Sequence, residues 1–186
     1  MDKERVKKLV RELIIELGED PTREGLKDTP RRIADAYGEI FSGYDSDSEL
    51  SVQFSEDSEM VVAKNIQYYS MCEHHMLPFF GKIQIAYIPN GRVFGISKLV
   101  RLVEKYSKRL QIQERLTKNI ADELNSEGVK GVVVLSEAEH LCMKMRGVKN
   151  DAKVSSMSSR GIYEKKQYRE EVLEVIKHRK LEPSKL

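Results

Sequence analysis

The sequence predicts an α+β fold, with helices covering one face of a mostly antiparallel sheet. Three observations carry that expectation. Apolar residues recur at helical spacing near both ends and in the middle of the chain. Short alternating or β-branched runs lie between them. The order of these blocks (helix, helix, strands, paired helices, strands, helix) groups like elements together, as α+β domains do.

From Glu4 to Leu17, the residues Val6, Leu9, Val10, Leu13, Ile14 and Leu17 keep helical spacing, and Gly18 ends the pattern. Thr29-Pro30 signals a second helix, a cap followed by proline at the first helical position. It carries Ile33, Ala34, Tyr37 and Ile40 on one face and closes near Gly43. Residues 1–44 are therefore expected to form a helical appendage and residues 45–186 the main domain. Asp45 to Glu49 reads as a polar, mobile linker. The β-rich run Glu59 to Tyr69 leads to the motif at Cys72, and Lys82 to Ile88 alternates as a strand. Pro89-Asn90-Gly91 turns the chain into Val93 to Ile96, with Ser97 as a helix cap. Lys98 to Asn125 is helical throughout, and its length argues for two helices broken near Ser107. Gly128 to Gly131 resets the chain into the buried strand Val132 to Leu135. Lys153 to Ser159 is a strand edged with hydroxyls, Gln167 to Arg179 a basic amphipathic helix, and Leu181 to Leu186 a loose tail.

The 186 residues suffice for one core with a small addition. Lysine and arginine number 32 against 30 acidic residues, a net charge of +2, so neither a nucleic-acid nor a membrane surface is expected. Met1-Asp2-Lys3-Glu4-Arg5 opens an amphipathic helix rather than an apolar leader, and no apolar run reaches membrane-spanning length. A reduced, cytoplasmic protein is the expectation, with thiols serving as ligands.

The scarce soft ligands are concentrated. Of two cysteines and four histidines, Cys72, His74 and His75 share one short run, while His140 and Cys142 share another. Cys72 and His75 stand three apart, a spacing at which one turn brings thiolate and imidazole onto one ion. Cys142 supplies a third ligand if the fold joins the segments. Such a set suits zinc, and three protein ligands leave a position for water whose pKa the ion lowers to about 7. A structural site would close with a fourth side chain, which His74 or His140 can provide. Without a metal, the same residues read as buried cysteines and polar turn histidines. If the segment is extended, His140 and Cys142 share a face. A histidine beside a metal-activated water is suited to proton transfer near neutral pH. Gln113 and Glu114 interrupt an apolar helical pattern. A glutamate can accept a planar N–H pair such as that of guanine, although a solvated helix is the stronger reading from spacing alone. Lys98, Arg101 and Arg146 can hold phosphate, yet among 32 basic residues they single out nothing. No Walker loop or dinucleotide fingerprint is present.

At these residues the chain resembles the zinc-dependent GTP cyclohydrolase I family. Cys72-Glu73-His74-His75 with Pro78-Phe79 and Gly81 carries the first signature. Ala86 to Pro89, Gly95 to Lys98, Gln111 to Thr117, Ala138 to His140, Cys142-Met143 and Arg146 to Val148 carry the rest. Thr29 to Ala34 and Ile40 to Gly43 match the family's N-terminal helix. The resemblance implies a tunnelling fold and a D5 homodecamer with sites shared between subunits. It implies one zinc ion per subunit on Cys72, His75 and Cys142, and proton transfer by His74 and His140. Glu114, helped by Gln113, would recognise guanine, while Ser97, Lys98, Arg101 and Arg146 would line the ribose and triphosphate. The implied reaction opens the purine of GTP, releases C8 as formate and closes a pterin ring, giving 7,8-dihydroneopterin triphosphate. Where the family usually carries threonines before Gly-x-Phe, this chain has Ser155, Ser156, Ser158 and Ser159, then Gly161-Ile162-Tyr163. Hydroxyls and ring are kept, so function is expected to survive. The alternatives are a tunnelling-fold relative such as a deazaguanine nitrile reductase, which needs a free nucleophilic cysteine, and a zinc-stabilised nucleotide-binding assembly without turnover.

Overall fold

The computed structural model describes residues 1–46, 50, 53–56 and 58–177. Most of the expected linker and the whole of the expected tail lie outside the described residues.

Helix α1 (Lys3–Glu16) starts where Asp2 accepts the Arg5 N–H at 3.0 Å, and it buries Val10 and Ile14. Helix α2 (Thr29–Ile40) packs against it. Thr29 is the first helical residue and Asp28 the cap, without a side-chain bond, so this helix begins one residue earlier than expected. A 3-10 turn over Ser42–Asp45 joins the pair to the rest. There the Arg109 guanidinium donates twice to the Gly43 carbonyl, at 2.6 and 3.0 Å, and lies over the rings of Tyr44 and Tyr106. A Cβ on Gly43 would stand 2.5 Å from the Lys105 carbonyl oxygen, so only glycine admits this approach.

The short strands β1 (Gln53–Ser55) and β4 (Arg92–Phe94) pair with each other. The main sheet contains β2 (Val61–Cys72), β3 (Pro78–Ile88), β5 (Leu110–Gln111), β6 (Gly131–His140) and β7 (Val154–Gly161), in the order β5-β2-β3-β6-β7. All its pairings are antiparallel except that of β5 with the end of β2. Alternation along the strands sorts two cores. Ile83, Ile85, Tyr87, Val132 and Val134 face Leu99, Leu102 and Val103 of α3 (Ile96–Ser107), and Leu116, Ile120 and Leu124 of α4 (Gln113–Ser126). Each such side chain contributes about 1.5–3 kcal/mol on burial. Their opposite neighbours Ala86 and Val133 pack with Tyr163, Val172 and Ile176, which puts α6 (Lys166–Lys177) on the other face.

An α+β fold with a helix pair on one face of an antiparallel sheet is thus realised, as the tunnelling fold requires. The break at Ser107 is where it was expected, but it contains a two-residue strand that local periodicity cannot reveal. Helix α3 begins at Ile96 behind Gly95, with no side-chain cap bond, so Ser97 does not cap it.

Candidate metal centre and active site

The first half of the site is a hairpin turn. Cys72 closes β2 by donating its N–H to the Leu77 carbonyl at 2.9 Å, and the Met76 N–H returns to the Cys72 carbonyl at 2.8 Å. Met76 takes a left-handed φ of 51°, unusual for a bulky residue, and that reverses the chain. The turn is tied sideways as well. Glu73 N–H donates to the Gln111 carbonyl at 3.0 Å, and the Glu73 carboxylate takes both guanidinium arms of Arg115 from α4. The hydrogen bond from Arg115 holds the Glu73 carboxyl below the usual range.

The second half is the end of β6. His140 is its last residue, and Cys142 lies in the helical turn α5 (Leu141–Lys144) that follows. The segment is therefore not extended through Cys142, and His140 and Cys142 do not share a strand face. The turn instead swings the Cys142 sulfur toward Cys72 and His75. Ligand atoms of Cys72, His75 and Cys142 all lie within 4.8 Å of one another, and Cys72 Sγ is 3.8 Å from His75 Nδ1. With Zn–S near 2.3 Å and Zn–N near 2.0 Å, tetrahedral ligands stand roughly 3.6 Å apart, so the group fits zinc with little adjustment. Both cysteines are free thiols. Burial first, and the neighbouring Cys72 sulfur second, push the Cys142 thiol up. Ionising both thiols calls for a cation between them.

His140 is half-buried and stacks on Phe79, its register partner across β3 and β6, with centroids 4.7 Å apart and planes 3° from parallel. Two residues on, a Cβ at Gly81 would lie 1.9 Å from the Glu137 carbonyl oxygen, so glycine is required for the strands to meet here. Burial lowers the His140 pKa, and the negative charge of Glu114 partly offsets this. His140 Nε2 lies 2.8 Å from Gln113 Oε1. His74 contrasts with it: its side chain is 64% exposed, edge-on to His75.

Glu114 is exposed beside His140, as a recognition group requires. Gln113 is not: it is 1% exposed, and its amide is bonded entirely within the protein. Arg146 is exposed, with its charge felt at Cys142. Ser97, Lys98 and Arg101 lie on the first turns of α3, Ser97 and Arg101 exposed, on an element apart from the metal group. The serines facing α4 have structural partners. Ser156 Oγ donates to the Gln113 carbonyl, and Ser158 Oγ meets Thr117 Oγ1 at 3.2 Å. Sequence reasoning missed Phe79 as a support for His140, and missed the Glu73–Arg115 pair. Both signals lay inside the quoted motifs, but only the tertiary pairing gives them a role.

A family model described as GTP cyclohydrolase I matches residues 6–177. GTP cyclohydrolase 1 of Hyperthermus butylicus is 50% identical over 183 residues, covering 97% of this chain and 94% of that relative. GTP cyclohydrolase 1 of Finegoldia magna is 54% identical over 170 residues, 88% of this chain and 92% of that relative. Among solved structures, the archaeosine synthase QueF-Like in its apo form is similar with a TM-score of 0.46 at 18% identity, over 57% of this chain and 97% of that one.

Proposed function

The chain belongs to the GTP cyclohydrolase I family, and we propose that it converts GTP and water to 7,8-dihydroneopterin triphosphate and formate, with zinc held by Cys72, His75 and Cys142. The single observation that carries this reading is the convergence of those three ligand atoms, from two distant segments, beside a half-buried histidine. When bound, zinc supplies the Lewis acidity and activated water that attack on purine C8 needs.

The chain's own residues do the rest. His140 moves a proton at the imidazole side of the purine, and a carboxylate at Glu114 reads the guanine N–H edge. His74, solvent-facing, is the second proton-transferring histidine, and release of formate from the opened ring depends on His140. Ser97, Lys98, Arg101 and Arg146 hold ribose and triphosphate by charge-assisted bonds. Because Ser97, Lys98 and Arg101 stand on a separate element, this reading assigns them to the site of a neighbouring subunit in a D5 decamer. The outer edge of β7, unpaired among the described residues, and the exposed Leu9 and Leu13 of α1 with Leu17 at its end support an oligomer. The same reading divides the chain into an appendage, 1–44, and a catalytic domain, 45–186. It places the protein in the cytoplasm, and no described helix is long and apolar enough to cross a membrane.

The test is incubation of zinc-loaded protein with GTP, following formate and the oxidised, fluorescent pterin together. Equal yields, lost on chelation and restored by zinc, are expected. Neither product from a fully metallated, intact oligomer would overturn the reading in favour of a binding assembly.

A further inference from the structure

The side chain of Gln113 sits at the centre of a buried hydrogen-bond network that ends on His140. Its Nε2 is 2.9 Å from the Val154 carbonyl oxygen, 3.2 Å from the Ser136 carbonyl oxygen and 3.2 Å from Ser136 Oγ. Ser136 Oγ is in turn 2.8 Å from the Tyr68 hydroxyl. Gln113 and Ser136 are at most 1% exposed, and burial pushes the Tyr68 phenol up to about 12, so it remains a neutral hydroxyl.

This arrangement decides which way the amide faces. Two of the neighbours on the Nε2 side are main-chain carbonyls, which only accept. Turning the amide over would set its oxygen against both carbonyl oxygens, acceptor against acceptor in the interior, with only the Ser136 hydroxyl able to donate to it. Oε1 must therefore face His140, 2.8 Å away. An amide oxygen also only accepts, so His140 Nε2 must carry a hydrogen and donate it. The parallel stack on Phe79 holds the plane of the ring, and this bond holds its rotation within that plane.

We infer that Gln113 is a positioning residue, locking His140 as the Nε2–H tautomer and leaving Nδ1 as the nitrogen that exchanges protons with substrate. Guanine recognition then falls to Glu114, without the Gln113 side chain. This deepens the cyclohydrolase reading and rests on it for the identity of the reaction. The tautomer itself follows from the hydrogen bonds alone. General acid–base work requires one nitrogen in one place, and a second-layer partner that fixes the tautomer is the standard way to achieve it.

Two measurements test this. The first is solid-state NMR of protein carrying ¹⁵N-histidine, above the histidine pKa, with His140→Asn identifying its signal among four histidines. A protonated Nε2 and bare Nδ1 are expected, and the reverse pattern would overturn the inference whether or not the protein turns over GTP. The second compares Gln113→Met and Gln113→Glu with the parent for GTP binding, formate release and preference for GTP over inosine triphosphate, which lacks the 2-amino group. For Gln113→Met we expect a roughly 100-fold loss of kcat, with the Kd for GTP and the nucleotide preference both unchanged. Gln113→Glu, which restores an acceptor to His140, should recover part of the loss. A raised Kd or a collapsed preference with kcat intact would assign Gln113 to guanine and overturn the inference. If Gln113→Met does not fold, Ser136→Ala loosens the same amide from behind, and its expected signature is a smaller kcat loss at constant Kd. Failure of the cyclohydrolase reading is distinct: the parent itself would release no formate.

Discussion

The two halves of the metal centre are held by different physics. The turn from Cys72 to Leu77 is a local structure. The hydrogen bonds that reverse the chain close within a few residues, and it exposes His74, His75 and Met76. Glu73 alone ties it sideways among the described residues, through its N–H to Gln111 and its solvent-touched pair with Arg115. The end of β6 is a long-range structure. Ser136 and His140 depend on Phe79 across the sheet and on Gln113 of a helix, which Val154 on the next strand holds in turn. A ligand can sit on a turn that breathes, because the ion itself completes the geometry. A proton-transfer group cannot, because tautomer and orientation must be set before substrate arrives. The contrast separates where the metal is caught from where the chemistry is aimed.

Replacing a ligand should give the largest effect and act on both halves at once. Cys142→Ser is expected to weaken zinc binding by more than about 100-fold, beyond what an outer-layer change costs, and to abolish formate release. Competition with a chromophoric chelator measures the first, and the GTP assay the second. Because the Cys142 thiol is raised, it carries its proton at neutral pH and must shed it to bind metal. Zinc affinity in the parent should therefore climb as pH rises from 6 toward the thiol range, with proton release on binding. A flat profile would contradict a thiolate site.

The two histidines break the comparison most directly. His140→Asn and His74→Asn should each slow turnover on the order of 10²–10⁴-fold. Only the first should also lower stability, by about 1–2 kcal/mol, since it alone loses a part-buried hydrogen bond and a stacked ring. Urea unfolding separates them, and equal stability losses would erase the distinction. Mass analysis of stalled His140→Asn reactions should find a formylated intermediate, and unreacted GTP alone would refute that order of steps.

Gly81→Ala probes the long-range half without touching a reactive group. The added methyl collides with the Glu137 carbonyl, so the strands must part. A loss of about 2–3 kcal/mol in stability is expected, with zinc affinity falling less than activity. The smallest effect belongs to the turn's tie. Glu73→Arg should weaken zinc binding only a few-fold, and adding Arg115→Glu should return most of it. No recovery in the double variant would show that the pair does not steady the turn.

Local pattern made much of this legible. Helical spacing in Val6 to Leu17 and in Leu99 to Leu124, alternation in Lys82 to Ile88, and the Cys72–His75 spacing are each properties of neighbouring residues, and each is realised. Even the break at Ser107 followed from length. Helix starts slipped by one residue at Thr29 and by two at Ser97, because capping depends on which backbone groups the surroundings leave unsatisfied.

What the sequence by itself determined, then, was the elements, the α+β class and the soft-ligand set, because these are written in periodicities and in scarce residue types. Only the tertiary structure decided that Leu141 starts a helical turn that swings Cys142 toward Cys72, and that Gln113 faces inward to His140 while Glu114 faces out. Those outcomes depend on pairings across 23 to 41 residues, from Gln113 to Ser136 and to Val154. No periodicity records such pairings, because the strand register that creates them is set by the packed sheet as a whole.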